Sequence, residues 1–263
     1  MIPQAYLTSW RANAPWRSEN MVEQDLVICR ALVEIFSDSF LAERLAFRGG
    51  TALHKLYLHP QPRYSEDIDL VQIMEEPFGP VIDKLRERLT FLGDPVRKQK
   101  EHNNTLVFRF DSEFPPIQKL RLKVETNCRE HFTVLGLKKV PFKVESSWFK
   151  GSCEITTYQL EELLGTKLRA LYQRRKGRDL FDLHRALVSN ENIDVNNLIK
   201  CYLEYIRFST GAAPSQQQFV DNMEAKMKDS EFLGDITALI RPTENYNQNN
   251  AYDLVNKQII GNL

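Results

Sequence analysis

The sequence predicts an α+β protein with a mixed sheet in its N-terminal half and helices in its C-terminal half. Short, apolar, β-branched segments are concentrated between about residues 45 and 155, whereas apolar residues with helical spacing dominate afterwards. We therefore expect an α/β domain over residues 1–155 and a helical domain over residues 156–263.

Composition and charge place the chain among ordinary globular proteins. Of its 263 residues, 42% are apolar and 27% are charged, and the formal net charge is zero. The four cysteines have no CxxC spacing, which predicts a reducing, cytoplasmic setting, and no apolar run approaches the roughly 18 residues of a membrane span. Any binding of polyanions must therefore come from local clusters of basic residues.

The first predicted elements surround a pair of glycines. Apolar residues recur at helical spacing between Ser18 and Phe36, and Ser18 is a suitable N-cap. Leu45–Arg48 is predicted as a short strand that ends at Gly49 and Gly50. A helical turn or two is expected from Thr51 to Leu58.

Three further strands are predicted, and acidic residues lie on two of them. They are predicted at residues 68–73, 106–110 and 120–125. Because side chains alternate along a strand, Asp67 and Asp69 share a face at the start of the first of these strands. In the last strand, Glu125 points away from the apolar side.

The second half is predicted to be helical. Thr156 and Gln159 fit a capping box before an amphipathic helix whose apolar stripe ends at Leu171. Gly177 interrupts the helical pattern, and a further helix is expected over residues 179–188. Helices are also predicted at 195–208, 215–228 and 232–240, and a loop at 245–250.

The glycine pair and the acidic pair together predict a metal–nucleotide site. Two carboxylates spaced as Asp67-x-Asp69 repel each other unless a cation lies between them, and Mg²⁺ takes such ligands together with substrate phosphates. Gly49 and Gly50 allow close approach of a phosphate to the backbone before a helix N-terminus. Considered alone, a glycine pair is typical of a turn, and acidic residues are typical of a strand start or a helix cap. Their order and spacing favour the nucleotide site.

Four segments resemble one known family. They are Arg48-Gly-Gly-Thr-Ala-Leu53, Arg63-Tyr-Ser-Glu-Asp-Ile-Asp-Leu70, Leu160-Glu-Glu-Leu-Leu-Gly-Thr-Lys-Leu-Arg-Ala-Leu171 and Lys176-Gly-Arg-Asp-Leu-Phe-Asp-Leu183. In this order they resemble the AbiEii/AbiGii toxins, which are nucleotidyltransferases of the polymerase-β-like superfamily from type IV abortive-infection and toxin–antitoxin systems. The resemblance spans roughly residues 45–190 and implies a polymerase-β-like N-terminal domain. The C-terminal third carries no recognised motif.

The resemblance also implies roles for individual residues. It implies nucleotide binding by Gly49, Gly50, Thr51, Ser65 and Lys167; Mg²⁺ or Mn²⁺ binding by Asp67 and Asp69; and a metal-side or orienting role for Asp182, which with Lys167 comes from the helical domain. Superfamily members often carry a third carboxylate on a neighbouring strand, for which Glu125 is the candidate. In some relatives an antitoxin kinase phosphorylates the position of Ser65.

Three charged residues in or near these motifs have alternative interpretations. Glu125 is either a third site carboxylate or an exposed acid beside Arg121 and Lys123. Asp179 shares a helix face with Asp182, but its place after Gly177 favours helix capping. Lys167 is either a surface lysine or, since it lies among buried leucines, a functional one.

The implied activity is transfer of a nucleoside monophosphate from an NTP to an acceptor. Relatives suggest the tRNA 3′ end, with a block of translation, and an antitoxin partner. A basic run between Lys167 and Arg178 contains no acid and could bind RNA phosphates through Arg169, Arg174, Arg175, Lys176 and Arg178; a second basic region extends from Lys119 to Lys150. The alternatives are nucleotidylation of a protein hydroxyl group and a catalytically silent nucleotide-binding regulatory module.

Overall fold

The computed structural model describes residues 2–190 and 192–263, which form two compact units. Unit 1 comprises Met1–Thr133 and Leu137–Tyr158, and unit 2 comprises Val134–Gly136 and Gln159–Leu263. The predicted domain boundary after residue 155 falls inside the last strand of unit 1.

Unit 1 contains seven strands and five helices among the described residues. The strands are β1 (Leu45–Arg48), β2 (Asp67–Gln72), β3 (Val96–Lys100), β4 (Asn103–Asp111), β5 (Lys119–Asn127), β6 (Leu137–Glu145) and β7 (Lys150–Tyr158). The helices are α1 (Gln4–Trp10), α2 (Glu19–Phe36), α3 (Ser39–Ala42), α4 (Gly49–Leu56) and α5 (Gly79–Arg88), with a 3-10 turn at Thr90–Leu92.

All seven strands form one mixed sheet in the order β3-β4-β5-β2-β1-β7-β6. β2 pairs with β1 antiparallel and with β5 in parallel, and β1 pairs with β7 in parallel. Alternating side chains of the central strands, such as Ile68, Leu70 and Val124, are almost fully buried. The sheet order places β2, with its two acidic residues, between the glycine-bearing end of β1 and the β5–β4–β3 half of the sheet.

Unit 2 is helical. Its helices are α6 (Leu160–Gln173), α7 (Gly177–Ser189), α8 (Val195–Thr210), α9 (Gln216–Lys226), α10 (Ser230–Gly234) and α11 (Gln248–Gln258), with a 3-10 turn at Ile260–Asn262. Gly165 lets α6 approach α8 closely, because a Cβ atom there would lie 2.7 Å from Cys201 Cβ and 2.9 Å from the Leu198 carbonyl oxygen. A Cβ atom at Gly177 would lie 2.2 Å from the Phe232 carbonyl oxygen, so the start of α7 likewise approaches α10 closely.

The α+β fold class and the mixed sheet are confirmed. The helix after Ser18 is also found, and the Ser18 hydroxyl accepts a hydrogen bond from the Met21 amide. Helix α4 begins at Gly49, two residues before the predicted start, so the glycine pair forms its first turn. None of the described helices is long and apolar enough to cross a membrane.

Several local predictions were wrong. Thr156 lies in β7 and donates a hydrogen bond to the Ala42 carbonyl oxygen, so it forms no capping box with Gln159. The predicted 245–250 loop contains the start of α11, with Asn247 as N-cap, and α10 ends at Gly234 instead of near residue 240. Strands β3, β6 and β7 and helices α1 and α5 were not predicted.

Candidate functional site

β2 places two acidic residues beside the glycine-bearing end of β1. Asp67 and Asp69 lie on the same face of the strand and are both partly exposed. Asp69 lies opposite Arg48 of β1, the residue directly before Gly49. Asp69 therefore lies next to the first turn of α4.

Gly49 has two features that only glycine provides. Its φ angle is +82°, in the left-handed region that L-residues rarely adopt. A Cβ atom at this position would lie 2.2 Å from Asp69 Oδ2 and 2.9 Å from its Cγ. The absence of a side chain at Gly49 thus makes room for the Asp69 carboxylate.

Helix α4 begins at this position with an open N-terminus. Its N-cap residue, Arg48, makes no side-chain capping hydrogen bond. Since the first N–H groups of a helix have no partner within it, they can donate to an anion. The first turn of α4 therefore has the features of a phosphate-binding site.

Hydrogen bonds of Thr51 tie α4 to the start of β2. The buried Thr51 hydroxyl donates to the Asp67 carbonyl oxygen and lies 2.7 Å from Ser65 Oγ. Because Thr51 has one hydroxyl proton, Ser65 must donate in the second contact. The Thr51 side chain thus positions the site, and only its backbone amide is suited to contact a ligand.

The surroundings of Asp67 make ionisation of its carboxyl group less favourable. Burial and, to a smaller extent, the neighbouring carboxylates of Asp69 and Glu66 raise the pKa of Asp67 to about 6, although Lys123 and Arg121 oppose the shift. A cation between Asp67 and Asp69 would relieve this repulsion.

The donor set fits a hard divalent cation. Within residues 2–190 and 192–263, no group of three or more His, Cys, Asp or Glu side chains is arranged to hold a metal by protein ligands alone. Mg²⁺ commonly takes one or two carboxylates and completes its shell with waters and substrate phosphates. Two carboxylates beside an open helix N-terminus match that pattern.

Glu125 lies on the strand next to the acidic pair. It is opposite Asp69 in the β2–β5 register. Its carboxylate forms an ion pair with Lys123 and accepts a hydrogen bond of 3.1 Å from Asn103 Nδ2. Its role as a third site carboxylate stays a prediction.

Lys167 and Asp182 meet each other inside unit 2. Lys167 Nζ lies 2.8 Å from Asp182 Oδ2 and 3.1 Å from Asp179 Oδ1, and both aspartates are completely buried. With only 7% of its side chain exposed, Lys167 is not an ordinary surface lysine. The roles of Lys167 and Asp182 in nucleotide binding stay predictions.

Asp179 does not cap α7. The N-cap residue of that helix is Lys176, and the Asp179 carboxylate bonds Lys167 and both Nε and Nη2 of Arg174, at 2.6 and 2.7 Å. Although burial opposes ionisation, Lys167 and Arg174 hold the pKa of Asp179 below its ordinary value. The capping interpretation overlooked these partners, which precede the helix.

The basic run of α6 and α7 is paired with carboxylates and carbonyl groups of unit 2. Arg175 pairs with Asp229, and both Lys176 and Arg178 pair with Asp235. Arg169 stacks on the ring of Tyr205. The prediction that this run binds RNA stays untested, but its charge is largely neutralised within the unit.

The sequence did not reveal two further features of unit 1. Gln24 of α2 donates hydrogen bonds to the carbonyl oxygens of Glu66 and Arg121, which joins the starts of β2 and β5. The polar strand β3 adds Lys98 and Lys100 to the sheet. No local signal marked Gln24, whereas the basic character of residues 97–100 was visible.

A family model for the nucleotidyl transferase AbiEii toxin of type IV toxin–antitoxin systems matches residues 30–253. The chain belongs to this family. It is therefore a nucleotidyltransferase toxin, for which a nucleoside triphosphate is the substrate and an antitoxin is the partner. No curated protein matches the chain by sequence.

Three solved structures share the fold of this chain. MenT4, a nucleotidyltransferase toxin from Mycobacterium tuberculosis H37Rv, is similar over 100% of this chain and 91% of its own, with a TM-score of 0.69 and 17% identity. JHP933 from Helicobacter pylori is similar over 90% of this chain and 89% of its own, with a TM-score of 0.54 and 18% identity. A further structure from H. pylori has a TM-score of 0.53 and 19% identity over 90% of this chain and 92% of its own.

Proposed function

We propose that this AbiEii toxin transfers a nucleoside monophosphate from an NTP to the 3′ end of tRNA, with Mg²⁺ or Mn²⁺, and so blocks translation in the cytoplasm. The observation that carries the proposal is the placement of the Asp67–Asp69 pair against Gly49 at the open N-terminus of α4. This arrangement offers an anion site and a cation site side by side, as a metal-bound triphosphate requires.

Asp67 and Asp69 would hold the metal. When bound there, divalent cations would stabilise the negative charge that develops on the transferred phosphoryl group. The amides of Gly49, Gly50 and Thr51 would bind triphosphate oxygens, and the Thr51–Ser65 hydrogen bond would hold the loop before β2 in place.

A labelling experiment tests the transfer. The full chain is incubated with each of the four α-labelled NTPs, Mg²⁺ and total tRNA, and the RNA is separated on a denaturing gel. We expect label on tRNA from the parent and none from Asp67→Asn. The control is Asp83→Asn, which removes an exposed carboxylate of α5 and should label RNA as the parent does.

Other outcomes would support the alternative functions. Label on protein instead of RNA would indicate a hydroxyl-bearing protein acceptor. Binding of NTP without release of pyrophosphate would indicate a silent regulatory module. Label on tRNA from Asp67→Asn at the parental rate would refute the assigned role of the acidic pair.

The glycine at the site has its own test. Gly49→Ala should reduce transfer by about 100-fold or more, because the new methyl group must displace the Asp69 carboxylate. Gly93→Ala is the matched control, since Gly93 also has a positive φ angle but no described atom within 4 Å of its Cβ position. If both variants lose activity equally, backbone strain rather than the close approach to Asp69 is the cause.

Metal binding can be measured without turnover. Mn²⁺ bound to the parent should be detected by electron paramagnetic resonance, and Asp67→Asn should bind it more weakly. Equal Mn²⁺ affinity in both proteins would assign the metal to other residues.

A further inference from the structure

One face of the sheet in unit 1 carries a groove rich in basic residues. The groove has a volume of about 550 Å³ and begins at Asp67 of β2. It crosses β5 and β4 to the edge strand β3, and its cations are Lys98, Lys100, Arg109, Arg121 and Lys123. We call these five residues and the space between them the basic groove.

Strand register accounts for the groove. Asp67 lies opposite Lys123, Arg121 opposite Arg109, and Lys98 opposite Thr105. Residues that are opposite each other in a sheet have side chains on the same face, so all five cations are on the face that carries the acidic pair.

Most cations of the groove lie outside the ion pairs found among the described residues. Lys123 pairs with Glu125, whereas Lys98, Lys100, Arg109 and Arg121 form no ion pair with any carboxylate of the described residues. Like charges directly opposite each other destabilise a strand pair, and Arg109 faces Arg121 in this way. An anion bound between these arginines would remove the repulsion.

The dimensions of the groove favour an extended anion. From β2 to β3 it crosses three inter-strand spacings, or about 14 Å, and neighbouring cations on one strand lie about 7 Å apart. A single compact anion cannot contact cations at both ends. A chain of phosphates can.

The sheet order separates the groove from the triphosphate side of the site. β2 lies between β1, which leads into the first turn of α4, and β5, where the groove begins. An acceptor hydroxyl group must approach the α-phosphate from the side opposite the leaving pyrophosphate. If the triphosphate binds at the first turn of α4 as proposed, the groove reaches Asp67 from the β5 side, away from that turn.

We propose that the basic groove binds the sugar-phosphate backbone of single-stranded RNA and guides its 3′ hydroxyl to Asp67. This proposal rests on the proposed function, because it names the path of the RNA acceptor. The phosphates contact the cations, and these contacts carry no sequence information.

RNA binding by the full chain is the direct test. A fluorescently labelled single-stranded RNA is titrated with parent protein and with the triple variant Lys98→Gln, Lys100→Gln, Arg109→Gln over a range of salt concentrations. The dissociation constant should rise about 10- to 100-fold, and the slope of log K against log salt should fall in magnitude by about 2, since each single-strand phosphate contact contributes about 0.7.

A matched variant controls for net charge. Lys139→Gln, Lys143→Gln, Lys150→Gln removes three exposed cations from β6 and β7, at the other edge of the sheet. It should bind RNA as the parent does. Parental affinity and salt slope in the groove variant would overturn the proposal, and so would an equal loss of affinity in the control variant. The proposal would also fail if polyglutamate displaced the labelled RNA as effectively as unlabelled RNA does.

Transfer assays separate this proposal from the proposed function. If the parent labels RNA and the groove variant labels it with unchanged KM, the groove proposal fails and the function stands. If the parent labels no RNA but its RNA binding depends on the groove, the function fails and the groove stands as an RNA-binding surface.

Discussion

The two basic regions of this toxin differ in what surrounds their cations. In unit 2, the cations of the run from Lys167 to Arg178 are paired with carboxylates of α7 and of residues 229–235 or packed on an aromatic ring. In unit 1, four cations of the basic groove form no ion pair with the residues that the structure describes. The density of basic residues in a sequence therefore does not reveal where positive charge is available to a ligand.

The largest effect is expected when a buried, paired cation of unit 2 is removed. Lys167→Met should lower the free energy of unfolding by about 3–5 kcal/mol, because it leaves the buried carboxylates of Asp179 and Asp182 without their shared cation. Urea denaturation followed by far-UV circular dichroism measures this change.

A surface pair of the same run is the control. Arg175→Gln removes a cation whose side chain is 70% exposed and pairs with Asp229, so it should change stability by less than about 1 kcal/mol. A loss below about 1 kcal/mol in Lys167→Met would show that Arg174 alone compensates Asp179, and the contrast between the two regions would weaken.

The second prediction uses pH to sharpen the comparison. Lys226 of α9 donates to the carbonyl oxygens of Leu171 and Tyr172, and burial lowers its pKa to about 8 from 10.5. Between these two values the unfolded chain binds more protons than the folded chain, so stability rises with pH.

A variant without this amine isolates its contribution. From pH 7.5 to 10, the stability of the parent should increase relative to Lys226→Met by roughly 1–3 kcal/mol, which corresponds to one or two pKa units. The variant difference cancels the titration of other groups. A difference independent of pH would mean that Lys226 remains charged in the folded protein.

The smallest effect is expected in the basic groove. Arg109→Gln should raise the free energy of unfolding by a few tenths of a kcal/mol, because it removes the like charge opposite Arg121. In about 1 M salt this gain in stability should vanish, because the Debye length is then only about 3 Å and the repulsion between the two arginines is screened.

The same strand pair offers a control of opposite sign. Lys119 lies opposite Asp111 at an N–O distance of 2.7 Å, so Lys119→Gln should lower stability by a similar small amount. If Arg109→Gln also destabilises the protein, the two groove arginines do not repel each other as the register implies.

Local patterns were sufficient where function depends on nearby residues. The acidic pair is visible because two side chains on one strand face must be two residues apart, and the glycine pair precedes its helix directly. The strand of Asp67 was found from its apolar, β-branched residues, and the strand of Glu125 from the alternation of its apolar and polar residues.

Local patterns failed where an element depends on its neighbours. All five residues of β3 are exposed, so no alternation marks the strand, and its backbone pairing with β4 defines it. Thr156 fits a capping pattern, yet parallel pairing of β7 with β1 keeps this segment extended. Asp179 follows a glycine like a capping residue but is held by Lys167 and Arg174.

The amino-acid sequence by itself determined the fold class and the family, and it predicted the residues of a nucleotide site, because these inferences follow from periodicity and from motifs a few residues long. Only the tertiary structure decided which cations are neutralised and which line an open groove. The partners of Arg175 and Arg178 lie more than 50 residues away along the chain. Electrostatic interactions depend on distances through space, and sheet register and helix packing determine those distances.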